Sequence, residues 1–168
     1  MSNRSMLYDS PIGPLCIRCD EIGITEISFD GTGNDHDTDP LLIKAAQILD
    51  AYFHGQSMQA ILPVHLTGGT PFRYKVWKML CDIPYGSTVS YLDLARKLSA
   101  TMSAQAIGQA VHNNPVSILI PCHRVIGKNG SLTGFGGGLD RKAFLLDMEK
   151  QNRIFDIQIE IQTEGGIE

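Results

Sequence analysis

The chain has 168 residues, 43% of them hydrophobic and 19% charged, with 17 glycines and 8 prolines. That is enough for one domain or two small ones around a buried core, and it excludes collagen-like, coiled-coil and fully disordered chains. The net charge of −4 argues against a protein that coats nucleic acid, yet the charge is uneven: residues 1–63 hold three Lys/Arg against nine Asp/Glu, whereas 64–150 hold ten against five.

From the N-terminus, MSNRSMLYDSPIGPL lacks the apolar stretch of a signal peptide, and no later run of about 18 apolar residues is long enough to span a membrane. Four cysteines (Cys16, Cys19, Cys81 and Cys122) are too few and too unevenly spaced for a disulfide scaffold. The expected compartment is therefore reducing: cytoplasm, or the nucleus in a eukaryote. Leu7-Tyr8 and Leu15-Cys16-Ile17 flank the turn Ser10-Pro11-Ile12-Gly13 and predict a hairpin, with a further strand at Ile22, Ile24 and Ile27. Cys16 and Cys19 have the spacing of a zinc half-site, but there is no second half, and strand alternation would turn the two thiols to opposite faces. After a polar connection at 31–40, apolar residues at helical spacing predict a helix over 41–53.

Residues 62–71, with two prolines and Gly68-Gly69, read as the linker to a second domain. A helix over 72–80 follows, with Phe72, Val76, Trp77 and Leu80 on one face. Ser90 and Asp93 form a capping-box pattern opening another helix, and Ser103 caps a helix over 104–114 that Pro115 stops. This close pair suits a helix-turn-helix. On its second helix, Ala104, Ile107, Gly108 and Val111 read as the inward face. Ala106 and Ala110 form a small-residue face suited to close approach, beside a polar stripe of Gln105, Gln109 and His112. The apolar run 116–120 reads as a strand ending at Pro121-Cys122-His123-Arg124-Val125. A cysteine directly before a histidine at a strand end reads either as a thiolate nucleophile with an adjacent base or as a buried structural cysteine beside a hydrogen-bonded histidine. In the tail, Ile157, Ile159 and Ile161 alternate with polar residues after Ile154 and Phe155, a strand pattern that needs a sheet edge to pair with.

The run Pro121-Cys122-His123-Arg124-Val125 resembles the active-site signature of the O6-alkylguanine-DNA alkyltransferases, the methylated-DNA–protein-cysteine methyltransferases. The likeness extends in order through Thr70-Pro71-Phe72, Val76-Trp77, Ile83-Pro84-Tyr85-Gly86, Thr88-Val89-Ser90-Tyr91, Asn114-Pro115, Gly137-Gly138-Leu139, Lys142 and Leu145-Leu146 followed by Glu149. It is close over 70–150 and looser at Ser10 to Leu15 and Tyr52-Phe53.

The resemblance implies a DNA-repair protein that flips the damaged base out of double-stranded DNA containing O6-alkylguanine and transfers the alkyl group irreversibly to its own Cys122. It implies His123 as base through a water, Glu149 as orienter of the imidazole, Asn114 as holder of the cysteine loop, and catalytic places for Tyr91 and Lys142. Tyr91, Phe135, Gly136 and Val125 are expected to line the substrate pocket. Gln105, Ala106, Gln109, Ala110, Asn113 and Arg124 are expected to face DNA, with the second helix in the minor groove. The sequence departs from the family pattern in having Gln105 where an arginine finger is usual, Phe135 where a pocket tyrosine is usual, and Gly136 beside it. No metal or cofactor is required, because the thiolate is the acceptor. A lesion-binding protein on the same scaffold is the second reading, and the presence of Cys122 counts against it.

The expected architecture is mixed α/β, of the α+β kind. A β-rich N-terminal domain with one helix (1–66) precedes a helical domain with the helix-turn-helix and cysteine loop (67–150). An extension (151–168) adds a strand, and the working unit is expected to be a monomer without membrane association.

Overall fold

A computed structural model describes residues 3–33, 38–56, 58–152, 155 and 157–164. The middle of the polar connection (34–37), Ile154 and Gly165-Gly166 lie outside the described residues. The hairpin forms as β1 (Arg4–Ser10) and β2 (Gly13–Cys19), paired in register from Arg4↔Cys19 to Ser10↔Gly13. Gly13 closes the turn at φ +107°, a conformation that side chains with a Cβ resist. β3 (Ile24–Ser28) adds antiparallel to β2. α1 (Pro40–Phe53) then crosses β1–β3, its N-terminus capped by Asp39, which accepts from Leu41 N at 2.8 Å.

The expected linker is a strand over its first half. β4 (Ile61–Leu66) pairs parallel with β3 through Ile24↔Val64, and Leu62, Val64 and Leu66 are wholly buried. Prolines and glycines suggested a break, but Pro63 is accommodated because pairing with β3 is confined to that one register position. Gly23 sits directly over the strand there; a Cβ would come within 2.8 Å of the Pro63 carbonyl.

The chain then leaves the sheet as α2 (Pro71–Leu80), the two-residue β5 (Val89–Ser90), α3 (Tyr91–Leu98), α4 (Ala104–His112), a 3-10 turn (Cys122–Arg124), β6 (Val125–Ile126) and α5 (Leu139–Asn152). It returns as β7 (Gln158–Thr163), parallel to β4 from Ile61↔Gln158 to Leu66↔Thr163. Strand order is β1-β2-β3-β4-β7, so the helical part is one long crossover between two neighbouring strands of the N-terminal sheet. Both halves of the Ser90–Asp93 capping box are present. The indole of Trp77 donates to Ala110 O at 2.8 Å, tying α2 to α4. One apolar core runs through the whole, from Leu15 and Ile27 through Leu49 and Trp77 to Ile120 and Leu145. No helix among the described residues is long and apolar enough to cross a membrane.

The run 116–120 is not a strand. It makes a single bridge, Ile27↔Val116, and then coils, with Ile120 N on Val116 O at 3.0 Å. Ile118 sits at φ +73°, a left-handed conformation that costs a β-branched residue on the order of 1–3 kcal/mol. Its apolar character reflects burial, not extension: Val116, Ile118, Leu119 and Ile120 are all buried.

Phe155 is buried against Tyr52 (ring centroids 5.2 Å apart), and β7 covers β4. Truncation after Lys150 should therefore lower the melting temperature by roughly 5–15 °C. An unchanged calorimetric midpoint would show that the strand adds nothing to the sheet.

Candidate active site

Asn114, buried just past α4, organises the coil ahead of Cys122. Its Nδ2 donates to Ile120 O (2.8 Å) and Val116 O (3.4 Å), and its Oδ1 accepts from Val116 N (3.0 Å). The backbone around the strained Ile118 is thus gripped at both ends by one amide. β3 braces the same segment through Ile27 N to Pro115 O and Ser117 N to Ile27 O. Cys122 follows at the start of the 3-10 turn and is 7% exposed. Burial pushes its thiol up; the Asn114 amide, the Lys142 ammonium and nearby backbone N–H groups pull it down, and burial wins. The resting sulfur is a thiol that needs a base.

The candidate base is His123, the next residue in the chain. α5 presents Lys142, Leu145 and Glu149 inward at helical spacing, all with zero exposure. Glu149 Oε2 accepts from His123 Nε2 (2.5 Å), Tyr52 Oη (2.5 Å) and Arg124 Nη2 (3.1 Å); Oε1 accepts from Arg124 Nε (2.8 Å) and Gly86 N (3.3 Å). Burial alone would raise this carboxyl, but the bonds from His123 and Arg124 outweigh it and hold it down to about 2. His123 is pushed down by burial and by the Arg124 and Lys142 cations, against the pull of Glu149. A neutral imidazole donating from Nε2 carries its lone pair on Nδ1, and Nδ1 is buried with no hydrogen-bond partner among the described residues. The arrangement leaves a buried, unprotonated ring nitrogen on the residue that follows the buried thiol in the chain.

Lys142 Nζ donates to Val125 O (2.6 Å) and Thr133 O (2.7 Å), and burial pushes it down to about 8. Tyr91 Oη donates to the same Thr133 carbonyl at 3.1 Å. Cys122 opens on a cavity of about 470 Å³ lined by Phe135, Gly136, Gly134, Asn114 and, from β3 and its end, Ser28 and Phe29. A shallower groove of about 500 Å³ lies along α4, lined by Tyr91, Gln105, Gly108, Gln109, Asn113 and Thr133. His112 and Gly134 border both, so groove and cavity adjoin.

Several expected positions lie elsewhere. Arg124 is 7% exposed, and its guanidinium is taken up by Glu149 and by Ile83 O (2.8 Å); it is an internal counter-ion and faces no DNA. Ala110 is 2% exposed, packed inward where its carbonyl meets Trp77, while Gly108, expected inside, borders the groove. Ala106 is half-buried and Gln105, Gln109 and Asn113 are exposed. Val125 is fully buried outside the cavity wall, and Tyr91, also expected in the pocket, lines the α4 groove instead, its hydroxyl held on Thr133 O. Sequence reasoning gave no site role to Tyr52 or to Phe29, which stacks edge-on against Phe135 at 5.6 Å. Both come from the N-terminal unit, and only the aromatic character of these positions hinted at them.

Residues 71–151 match the family model described as the 6-O-methylguanine DNA methyltransferase DNA binding domain, and residues 3–66 match the ribonuclease-like domain of the same proteins. The methylated-DNA–protein-cysteine methyltransferase of Mycobacterium tuberculosis H37Rv is 39% identical over 157 residues, covering 90% of this chain and 94% of that protein. The inducible methylated-DNA–protein-cysteine methyltransferase of Bacillus subtilis is 46% identical over 123 residues, covering 73% and 68%. The crystal structure of the Mycobacterium tuberculosis OGT in complex with DNA superposes with a TM-score of 0.77 at 42% identity, covering 89% of this chain and 93% of that one. Both halves of the chain thus match the two domains of one class of DNA methyltransferases. The chain belongs to the methylated-DNA–protein-cysteine methyltransferase family.

The Glu149 geometry has a consequence for stability. A carboxyl held at about 2, below its ordinary 4.5, stabilises the fold above the ordinary value and loses that contribution as pH falls through the interval. Urea midpoints should fall over that interval, and Glu149→Gln should remove part of the slope. At neutral pH the variant should be about 3–5 kcal/mol less stable, because the Arg124 guanidinium stays buried without its anion. A glutamine variant as stable as the parent would contradict this.

Proposed function

We propose that this protein repairs O6-alkylguanine in double-stranded DNA by moving the alkyl group, once and irreversibly, onto Cys122. The observation that carries the reading is a buried thiol followed in the chain by an imidazole whose Nε2 is fixed on Glu149 and whose Nδ1 has no partner among the described residues. A water between Cys122 and Nδ1 takes the thiol proton to His123, leaving a thiolate. Glu149 stabilises the imidazolium that forms. The sulfur attacks the alkyl carbon in line: the S–C bond forms, the C–O6 bond breaks, and its electron pair passes to O6 and the purine. Peptide N–H groups at 135–136 receive the developing negative charge, and Tyr91, released from Thr133 O, hydrogen-bonds or protonates guanine N3. Lys142 holds the carbonyls of Val125 and Thr133 in place around the pocket.

A base stacked in a duplex cannot reach a buried thiol, so the nucleotide is flipped out. The adjoining groove and cavity support this route, with α4 in the minor groove and Gln105, Ala106, Gln109 and Asn113 along the DNA. Gln105 fills the space the base vacates. The protein works as a monomer, in the compartment that holds the DNA.

Intact mass after mixing with O6-methylguanine duplex tests the reading. One methylene unit should be gained at Cys122, and Cys122→Ser should bind the duplex and gain nothing, since a serine hydroxyl is a far poorer nucleophile. Binding without mass gain by the parent protein, or modification at Cys16, Cys19 or Cys81, would overturn it. Gln105→Arg should speed repair of duplex DNA and leave reaction with free O6-benzylguanine nearly unchanged, because only the duplex needs base extrusion. An equal change on both substrates would assign Gln105 to the pocket.

A further inference from the structure

We propose that Tyr52, from helix α1 of the N-terminal sheet unit, is a positioning residue for the transfer reaction: its hydroxyl shares Glu149 Oε2 with His123 and so keeps the imidazole free to act as a base. The proposal rests on the alkyl-transfer reading above.

Tyr52 lies 97 positions from Glu149 in sequence, yet its hydroxyl donates to Oε2 at 2.5 Å and sits 3.4 Å from His123 Nε2. Its ring is 1% exposed and is boxed edge-on by Phe53, Tyr85, Phe155 and His123. A phenylalanine would fill the same box. What packing does not account for is the hydroxyl, and the hydroxyl is aimed at the one carboxylate oxygen that the histidine also uses.

Burial, and then the negative charge of Glu149, push the phenol well above its ordinary range, so it stays protonated and is a permanent donor. A carboxylate has about four lone-pair positions, and this one takes five donors. Each donor lowers its basicity. With a weakly solvated carboxylate, the pair would favour the imidazolium, which carries a proton on both nitrogens and cannot accept the thiol proton. Tyr52 acts against that. The other groups around His123 are Glu149 and Lys142 from α5 and Cys122 and Arg124 from its own turn, with Tyr85, ahead of β5, against the Tyr52 ring. Arg124 and Lys142 act in the same direction as Tyr52, and Glu149 acts against them.

The test is the pH profile of single-turnover transfer from O6-methylguanine duplex to Cys122, with iodoacetamide alkylation of Cys122 followed in parallel. In Tyr52→Phe the acid limb should move to higher pH by about half to one unit, making the reaction roughly three- to tenfold slower on that limb and within about twofold of the parent on the plateau. Replacing Tyr52 by 3-fluorotyrosine keeps the shape and strengthens the donor, so its acid limb should move the other way. This second variant carries the test if the phenylalanine protein does not fold. A uniform loss at every pH would reduce Tyr52 to packing and overturn the proposal, as would profiles that coincide with the parent. Absence of transfer in the parent would overturn the alkyl-transfer reading instead, and the iodoacetamide profiles would still decide the role of Tyr52.

Discussion

The molecule is organised around a fully buried carboxylate. An isolated ionised Glu149 in an apolar core would be prohibitively costly, so it exists only because donors reach it from three different parts of the chain. Tyr52 comes from α1, Gly86 from the turn before β5, and His123 and Arg124 from the 3-10 turn; Glu149 itself is on α5. Satisfying that charge fixes the relative placement of these elements. It also fixes the proton inventory of the site, since Arg124 neutralises the carboxylate permanently and His123 need not. The histidine is thereby left as the one group in the cluster poised to change its protonation during a reaction.

The sheet gives this cluster its rigidity. Because the helical part leaves from β4 and returns as β7, its two ends are pinned to neighbouring strands. β3 reaches across to the Pro115–Ser117 backbone, and Asn114 closes the same loop from the other side. The strain at Ile118 is held between those two restraints, one residue run away from the nucleophile. A left-handed isoleucine in a free loop would relax; here, hydrogen bonds at both ends and burial of the side chain over-determine it. The N-terminal unit therefore contributes to the reacting centre as well as to stability, through Tyr52 at Glu149 and Phe29 against Phe135.

Much of this was legible in the residues. α3 and α4 declared themselves through the caps Ser90 and Ser103, because local side-chain hydrogen bonds act within a few residues, and α1 and α2 through apolar residues at helical spacing. The Cys122–His123 pair and Glu149 were legible through the ordered motif series. What was not legible depends on distant partners. β4 looked like a linker because Pro63 and the glycines after it are read locally, while its strand character comes from β7, nearly a hundred residues on. The run 116–120 looked like a strand because burial and extension leave the same apolar signature, and only the Asn114 bonds distinguish them. Arg124 looked like a DNA contact because an arginine next to a nucleophile is ordinarily a surface cation; the buried carboxylate that turns it inward lies on another helix. Ala110 and Gly108 exchanged faces through a shift of one position around α4, within the error of a helical-wheel reading.

The central claim is that His123 is neutral, kept so by burial and by the Arg124 and Lys142 cations, with Glu149 fixing its proton on Nε2 and leaving Nδ1 as the basic nitrogen. The ¹⁵N shifts of the His123 ring in the resting protein at neutral pH test this directly. The account predicts a neutral ring with a protonated Nε2 and a bare Nδ1. A proton on Nδ1, whether in the other neutral tautomer or in an imidazolium, would contradict it.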